Sequence, residues 1–498
     1  SPNQTNKDRV PLRFVTAASL FDGHDAAINV MRRMIQGGGA EVVHLGHNRS
    51  VDDVVRAAIQ EDADAIAMSS YQGGHMEYFR YMLQLLRKNS ASHIKVFGGG
   101  GGTITLEEID QLEKEGVDKI YHPTHGMQLG LIGMIEDLIT RAEKDRFECL
   151  RPNEVSIDNE ISVAQTISLI EQGFFDDDQL SSMRKTWMLQ AGETPVLGVT
   201  GTGGAGKSST VDELLGRFLR HRPEMRIAVL AVDPTRRRTG GALLGDRIRM
   251  NTLSSRNVYM RSIATRRQHL STSKMLGDIT LFLKSLAYDL ILVETAGIGQ
   301  SDSEIVDLVD FSLYIMTSDY GAASQLEKID MLDFADMIIL NKFDRRGTED
   351  ALRDVRKQWQ RNHNAFQKKL DDIPVYPTIA SQFNDPGVNW AFENLCKLIV
   401  EKKHLNKSVW LRGLPNFGET AETQRKAQLL HPHTFASNES EDIAPHRDQR
   451  VQSPHRIGRY IDLCWLKICH LKTSKRHLNK AVFQYLWSLI LHSLQKFH

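Results

Sequence analysis

Short apolar runs alternate with amphipathic stretches along the first 150 residues of the chain. The runs predict buried strands at 14–17, 41–44, 65–68, 95–97 and 119–121. The stretches between them predict helices at 26–35, 51–61, 76–87, 106–115 and 127–141. Repeated strand–helix units of this length predict a parallel, doubly wound α/β sheet, in which ligands bind at the carboxyl ends of the strands.

The same alternation returns after residue 195, where a glycine-rich turn separates an apolar strand at 195–199 from a helix at 210–220. The turn has the phosphate-loop spacing G-x-x-x-x-G-K-[ST], which points backbone N–H groups and a helix N-terminus at phosphates. We expect Lys207 to bridge the β- and γ-phosphates as a catalytic group and the Ser208 hydroxyl to bind Mg²⁺. A glycine-rich turn without a ligand is the alternative. The predicted nucleotide-binding residues of this loop are Gly203, Gly204, Ala205, Gly206, Lys207, Ser208 and Ser209.

A second nucleotide signal follows a predicted strand at 337–340, which leads into Asn341-Lys342-Phe343-Asp344. A carboxylate in this N-K-x-D pattern accepts hydrogen bonds from the N1–H and the 2-amino group of guanine. Adenine offers neither donor, so the pattern favours GTP over ATP. Ser381, after another short strand, is expected to help close a loop over the base.

Acidic residues follow two further predicted strands. The strand at 289–293 ends at the catalytic candidate Glu294 and Thr295, and the strand at 227–232 ends at Asp233. Carboxylates at strand ends near a phosphate loop can hold Mg²⁺ directly or through water, and Gly297 would let its backbone approach the γ-phosphate. The polar loop 239–249 is a candidate switch segment, with Asp246 near the metal and Arg249 near the phosphates; ordinary solvated loop charges are the alternative. Arg236, Arg237 and Arg238 are candidates for an arginine finger.

Unusual residues also cluster at the carboxyl ends of the first set of strands. Asp22-Gly23-His24-Asp25 follows the first strand, Ser70 lies after the third, and five glycines from Gly98 follow the fourth. An Asp two residues before a His can fix the imidazole tautomer, which leaves the other nitrogen free for a metal. A capping or surface histidine is the alternative reading of His24.

These residues resemble the cobalamin-binding module of adenosylcobalamin-dependent mutases. The resemblance rests on Asp22-x-His24-x-x-Ala27, Ser70 and Gly98-Gly99, although the family has Gly where this chain has Ala27. It implies a flavodoxin-like fold, His24 as the lower ligand of cobalt with Asp22 behind it, and Ser70, Gly98 and Gly99 beside the nucleotide tail of the cofactor.

The second half resembles the GTPase chaperones of acyl-CoA mutases in its phosphate loop and at 232–234, 239–241 and 294–302. Both modules in this order are similar to the fused isobutyryl-CoA mutases, over residues 10–405. The resemblance implies that Arg249 contacts the nucleotide, and that the Mg²⁺ ligands are Ser208, Val232 through its carbonyl, Asp233, Asp246, Glu294 and Thr295.

The resemblance also implies a function and partners. It implies isomerisation of isobutyryl-CoA and n-butyryl-CoA by the whole protein, with GTP hydrolysis gating the loading of adenosylcobalamin. The implied partners are an acyl-CoA mutase domain or subunit and an adenosyltransferase, and the full-length family implies a homodimer. A cobalamin-sensing GTP switch that acts on a separate mutase is the alternative.

Four regions are therefore predicted: a cobalamin-binding domain at 10–142, a helical linker at 143–194, a P-loop GTPase α/β domain at 195–405, and an atypical, partly disordered tail at 406–498. The linker helices at 161–172 and 180–189 carry apolar stripes and are expected to dock on one domain; a solvated spacer is the alternative. In the tail, the spacing of Cys464, Cys469 and His470 fits no common zinc pattern. A mutase barrel needs about 250 residues and fewer remain, so we expect the barrel to be missing through truncation or an altered reading frame.

Composition narrows the partners. With 62 basic and 62 acidic residues among 498, the formal net charge is zero, so no overall attraction to nucleic acid is expected. Four cysteines favour a reducing, cytoplasmic location over a disulfide framework. No membrane association is expected, because the N-terminal residues lack the apolar core of a signal peptide and the apolar run near 481–491 is shorter than the ~20 residues that span a bilayer.

Overall fold

The structure of the protein is a computed structural model that describes residues 10–23, 25–144, 146, 152, 154–235, 239–265, 269–295, 306–320, 326–327, 329–411 and 414. Several predicted features lie outside these residues: His24, Arg236, Arg237, Arg238, Gly297, and the tail after residue 414 with Cys464, Cys469 and His470.

The described elements alternate between strands and helices. The strands are β1 (Arg13–Ser19), β2 (Glu41–Arg49), β3 (Ala65–Ser69), β4 (Lys95–Gly99), β5 (Lys119–Tyr121), β6 (Val196–Gly201), β7 (Ile227–Pro234), β8 (Ala242–Leu244), β9 (Val258–Thr265), β10 (Leu290–Thr295), β11 (Phe311–Met316), β12 (Met337–Leu340) and β13 (Val375–Pro377). The helices are α1 (Asp25–Gly37), α2 (Val51–Gln60), α3 (His75–Lys88), α4 (Leu106–Glu115), α5 (Pro123–Glu143), α6 (Glu160–Glu171), α7 (Asp177–Gln190), α8 (Lys207–His221), α9 (His269–Ser285), α10 (Met331–Phe334), α11 (Thr348–Asn362), α12 (Pro386–Lys403) and α13 (Lys407–Trp410).

Two parallel sheets organise the chain. The first has the strand order β5-β4-β3-β1-β2-β8, and the second has the order β13-β12-β11-β6-β10-β7-β9. Helices cover both faces of each sheet, so the strands are buried on both sides, as in other doubly wound proteins. The predicted fold class is confirmed, and the first five predicted strands and helices all form.

Strand β8 departs from the sequence analysis. Residues 242–244 were predicted to lie in a switch loop of the second domain, and that prediction is wrong for them. They pair in parallel with β2, with Glu41 opposite Ala242 and Val43 opposite Leu244, and so complete the first sheet. Ala-Leu-Leu is too short to signal a strand by alternation, and its pairing partner lies about 200 residues earlier, beyond the reach of local pattern analysis.

The linker helices are docked rather than solvated. Val163 and Ile167 of α6 belong to the hydrophobic cluster that covers one face of the second sheet. Trp187 of α7 contacts Phe282 of α9 with ring centroids 5.4 Å apart, and Arg184 pairs with Asp278 at 2.6 Å. Helix α6 also contacts α2 of the first domain. The linker therefore packs against both domains, although docking on only one domain was predicted.

Strand β2 also carries a buried histidine that makes stability depend on pH. Burial and the guanidinium of Arg32 lower the pKa of His44 from 6.5 to about 3. Between these values the unfolded chain takes up a proton that the folded chain does not, so stability is lost as the pH falls, by up to about 1.4 kcal/mol per pH unit.

We expect His44→Gln to flatten this dependence. Urea unfolding midpoints measured at pH 7 and pH 5 should differ less in the variant than in the wild-type protein. His47→Gln, on the exposed side of the same strand, is the matched control and should keep nearly all of the wild-type pH dependence. An equal loss of stability in wild type and His44→Gln would contradict the assignment.

Candidate functional site

The phosphate loop joins β6 to α8 as predicted. Gly206 precedes the helix with φ of 92°, and Gly201 has φ of 149°. A Cβ on Gly201 would lie 1.9 Å from the carbonyl oxygen of Ile315, so only glycine fits there. The ammonium of Lys207 donates to the carbonyl oxygens of Gly201 at 3.0 Å and Thr202 at 3.3 Å. The lysine that would meet the phosphates is thus held across the mouth of the loop.

Some of the predicted magnesium ligands lie beside this loop. The Ser208 hydroxyl donates to Oε1 of Glu294 at 2.8 Å, and both residues are buried. Thr295 stands opposite Val232 in the pairing of β10 with β7, and Asp233 follows Val232. The Thr295 hydroxyl is buried and has no hydrogen-bond partner among the described residues. A buried hydroxyl of this kind, at the end of the strand that also carries Glu294, suits a hard cation with oxygen ligands.

The switch candidates are brought near the loop only in part. Residues 246–249 form a 3₁₀ turn that contacts α8, the helix that begins with Lys207. Arg249 is exposed, while the side chain of Asp246 lies outside the described set. Within the residues that the structure describes, no three His, Cys, Asp or Glu side chains are arranged to hold a metal.

The N-K-x-D segment is tied to the phosphate loop through Asn341. Its Nδ2 donates to the carbonyl of Ala205 at 2.8 Å, and its Oδ1 accepts from the backbone N–H of Ala380 at 3.0 Å. A Cβ on Gly206 would lie 2.5 Å from that Nδ2, which explains the glycine. Asn341 therefore links the phosphate loop to the loop that was predicted to cover the base.

The other residues predicted to contact the base lie near Asn341 in the sequence or in the structure. Lys342 donates to the carbonyl of Gly204 at 2.7 Å, while Asp344 and Ser381 are exposed. Asp385, which the sequence analysis missed, is buried and accepts from the backbone N–H groups of Ile379 at 3.1 Å and Val388 at 2.9 Å. The Asp-Pro pair at the start of α12 is a helix N-cap signal that identifies it in the sequence.

The described residues of the predicted cobalamin edge also lie together. Asp22 is buried and its Oδ2 accepts from the backbone N–H of Tyr71 at 2.7 Å. Ser19 donates to the Ser70 hydroxyl at 3.0 Å, and the Ser70 N–H donates to the carbonyl of Gly99 at 2.8 Å. The loops after β1, β3 and β4 thus form one surface. Burial, and then the Asp22 carboxylate, raise the pKa of Tyr71 and keep its phenol protonated.

The glycines of this edge have more than one role. A Cβ on Gly98 would lie 2.5 Å from the Phe79 ring, so Gly98 is required by core packing. A Cβ on Gly100 would lie 2.0 Å from the carbonyl of Ser70, so Gly100 lets the loops after β3 and β4 meet. At Gly99 the contact would be an ordinary 3.6 Å to the Tyr121 carbonyl, so packing does not require glycine there.

One residue at this edge was not singled out from the sequence. Phe21 is 81% exposed and has φ of 64°, a region that bulky residues rarely adopt. Its N–H donates to Oδ1 of Asn48 at 2.9 Å, which holds the loop. An exposed aromatic in a strained loop beside Asp22 points to a functional role. In the sequence, Phe21 lies in a Phe-Asp-Gly run after an apolar strand, and that run does not indicate an exposed aromatic residue with a strained backbone.

Known proteins match both halves of the chain. The B12-binding domain family matches residues 12–126, and the family of the methylmalonyl-CoA mutase-associated GTPase MeaB matches residues 163–388. The structure contains no helix, among the residues it describes, with the length and apolar character needed to span a bilayer.

Relatives with known names cover the same two regions. The chain is 50% identical over 417 residues to the fused isobutyryl-CoA mutase of Geobacillus kaustophilus, covering 81% of this chain and 38% of that protein. It is 53% identical over 387 residues to that of Cupriavidus metallidurans, covering 77% of this chain and 35% of that protein. The chain thus spans less than two fifths of the length of these relatives.

A shorter relative is covered over three quarters of its length. A protein of Pyrococcus horikoshii whose name assigns it to the GTPases is 36% identical over 248 residues, which is 50% of this chain and 75% of that protein. Together with the MeaB match, this coverage establishes the family of the second domain. The chain belongs to the GTPases and carries a B12-binding domain ahead of a GTPase domain that matches the MeaB family, with homology to fused isobutyryl-CoA mutases across both.

Proposed function

We propose that this chain binds adenosylcobalamin and hydrolyses GTP with Mg²⁺, and that hydrolysis gates the delivery of the cofactor to an acyl-CoA mutase domain or subunit. The observation that supports the GTPase most directly is the bond from Asn341 to Ala205, which joins the guanine-recognition segment to the phosphate loop. GTP affinity and phosphate release by the purified chain test it. Turnover without Mg²⁺, or equal use of ATP, would contradict the proposal.

Hydrolysis depends on charge placed around the phosphates. The backbone N–H groups of 203–209 and the Lys207 ammonium would hold the β- and γ-phosphoryl oxygens. Ser208, Glu294 and Thr295 would hold Mg²⁺, directly or through water, together with Asp233, Asp246 and the Val232 carbonyl. When bound, Mg²⁺ neutralises charge that builds on the phosphoryl oxygens during transfer. The 239–249 segment would then hold the attacking water in line.

Cobalamin binding would use the first sheet. His24 would ligate cobalt, and Asp22 would fix its tautomer while also holding the backbone of Tyr71. Ser70 and Gly99 would receive the nucleotide tail, and Gly98 would keep the strand packed on α3. The bound cofactor supplies radical chemistry by homolysis of its Co–C bond. The buried Ser69 hydroxyl, without a partner among the described residues, gives the tail one more polar contact.

The relatives suggest the wider setting. We propose that the mutase isomerises isobutyryl-CoA and n-butyryl-CoA, as the name of the fused relatives indicates. An adenosyltransferase would supply the cofactor in the cytoplasm, and the full-length protein would act as a homodimer.

A second candidate is a cobalamin-sensing GTP switch that acts on a separate mutase. The pairing of β8, a strand from the GTPase domain, with the cobalamin-domain sheet favours it, because part of the GTPase domain is then built into the cobalamin domain. Slow hydrolysis that accelerates only with an added mutase supports the switch. Fast hydrolysis by the chain alone that no mutase changes contradicts it.

We expect His24→Ala to remove the nitrogen ligand of cobalt. The Co(II) electron paramagnetic resonance spectrum of the bound cofactor should then lose its nitrogen hyperfine splitting, because the imidazole supplies that nucleus. His93→Ala, at the opposite end of the sheet before β4, should keep the splitting. A spectrum of His24→Ala that matches the wild type would reject axial ligation.

A further inference from the structure

The segment from Thr239 to Arg249 leaves the GTPase sheet and is built into the cobalamin domain. Two glycines permit the close approach. A Cβ on Gly241 would lie 2.3 Å from the carbonyl of Gln36, and one on Gly46 would lie 2.7 Å from the side chain of Ile248. The cobalamin domain therefore fixes where the 3₁₀ turn at 246–249 lies.

One side chain of that turn points into the interface between the two domains. Arg247 is buried, and its Nε donates to Oε1 of Glu61 at 2.7 Å. Its Nη2 donates to Oε1 of Gln60 at 2.7 Å and to the carbonyl of Met260 at 2.6 Å. Gln60 and Glu61 end helix α2 of the cobalamin domain, so Arg247 joins that helix to strand β9 of the GTPase sheet.

Glu61 has no exposed surface and binds both domains. Besides Arg247, its carboxylate accepts from the backbone N–H of Ser262 at 3.0 Å and from the Ser262 hydroxyl at 2.9 Å. Arg13 of β1 lies 3.5 Å from its other side. A carboxylate with donors from both domains is fixed in position, and it fixes Arg247 in turn.

Glu61 belongs to a buried cluster of three arginines and three glutamates, which we term the interdomain charge cluster: Arg13, Glu41, Glu61, Glu171, Arg247 and Arg261. Each side chain is at most 5% exposed. Burial opposes the charge of Arg13, but Glu171, Glu41 and Glu61 outweigh it and hold its pKa above the usual value. The cluster is neutral overall, and its members come from the cobalamin domain, the linker and the GTPase domain.

We propose that Glu61 of the cobalamin domain is a positioning residue for GTP hydrolysis and acts through Arg247. Arg247 lies between Asp246 and Arg249, which are assigned to the metal and to the phosphates. Because Glu61 holds the Arg247 side chain, it also fixes the backbone of the turn that carries Asp246 and Arg249. The inference rests on the proposed function, in that GTP and Mg²⁺ must bind at the phosphate loop.

The test removes charge in matched pairs, because a single substitution would leave one buried charge without its partner. The test variant combines Glu61→Gln with Arg247→Gln. The control combines Glu171→Gln with Arg261→Gln, which removes the same charges from the same cluster without touching the 246–249 turn. Both pairs should lower the melting temperature.

The two pairs should differ in their kinetics. In the test pair the KM for GTP and the Mg²⁺ concentration for half-maximal activity should rise about tenfold with kcat much less affected, because ground-state and transition-state contacts of the turn are lost together. In the control both values should stay within about twofold of wild type. Arg247→Lys keeps the positive charge but has a single ammonium group in place of the guanidinium. Its KM for GTP should therefore lie between the values of the test pair and the control pair.

Equal KM shifts in the two pairs, or no shift in the test pair, would overturn the positioning role. If the wild-type chain binds GTP without turnover, the dissociation constants of GTP with and without Mg²⁺ replace KM in the same comparison. If it does not bind GTP at all, the proposed function fails together with this inference. If the wild-type chain binds GTP but the test and control pairs show the same KM or dissociation constant, the inference fails and the proposed function stands.

Discussion

Replacing Lys207 by alanine should lower the rate of GTP hydrolysis by about a thousandfold. The lysine supplies a fixed positive charge for the bridging region between the β- and γ-phosphates, where negative charge builds in the transition state. In the structure its ammonium is already held over the loop by the carbonyls of Gly201 and Thr202. Little reorganisation is then needed when phosphate replaces them. Phosphate release under saturating GTP and Mg²⁺ measures the effect.

The control for this substitution is Lys114→Ala. Lys114 is 73% exposed on α4 and pairs only with Asp110 of its own helix among the described residues, so its loss should leave hydrolysis unchanged. Melting temperatures separate lost catalysis from lost folding, since neither substitution removes core packing. Wild-type turnover by a folded Lys207→Ala protein would mean that the phosphate loop assignment is wrong.

The local pattern of apolar and polar residues was sufficient to predict much of the fold. The predicted bounds of β5, α4 and β12 agree residue for residue with the structure, because each is a short apolar or amphipathic stretch between turn signals. The phosphate loop and Asn341 were found for a similar reason, as their chemistry requires fixed spacing within a few residues. The structure adds the long-range bonds that bring these segments together.

The interdomain features could not be found in this way. Strand β9 carries Arg261 in its middle, which hides an otherwise apolar run, and that arginine is 2% exposed only because Glu171 and Ser168 of the linker face it. Glu61 and Arg247 are 186 residues apart, and no spacing rule connects a helix end in one domain with a turn in the next. Charged residues in a sequence are usually solvated, so burial in pairs is visible only in three dimensions.

In the proposed sites, the base and the phosphates would be contacted in different ways. The base would contact exposed residues such as Asp344, which the GTPase domain supplies alone. The metal and phosphates would contact the 246–249 turn, which is bonded to the cobalamin domain through Arg247. Substitutions at the base loop should therefore change nucleotide identity without changing communication between the domains, while those in the interdomain charge cluster should do the reverse.

The base loop offers the sharper test of nucleotide identity. Asp344→Asn should weaken GTP binding by about a hundredfold or more, because two hydrogen bonds from guanine to a carboxylate are disrupted. Xanthine carries an oxygen where guanine has its 2-amino group. The asparagine amide can donate to that oxygen and accept from N1–H, so xanthosine triphosphate should become the preferred substrate of the variant.

Competition between the two nucleotides measures the change directly. Asp344 is exposed and forms no hydrogen bond or ion pair within the described part of the chain, so its replacement should leave the melting temperature unchanged. Asp350→Asn is the matched control, because Asp350 is exposed at the start of α11 and pairs with Arg353 instead of a base. A preference for GTP that survives in Asp344→Asn would assign base recognition to another group, and Ser381 and the loop held by Asp385 would be the next residues to vary.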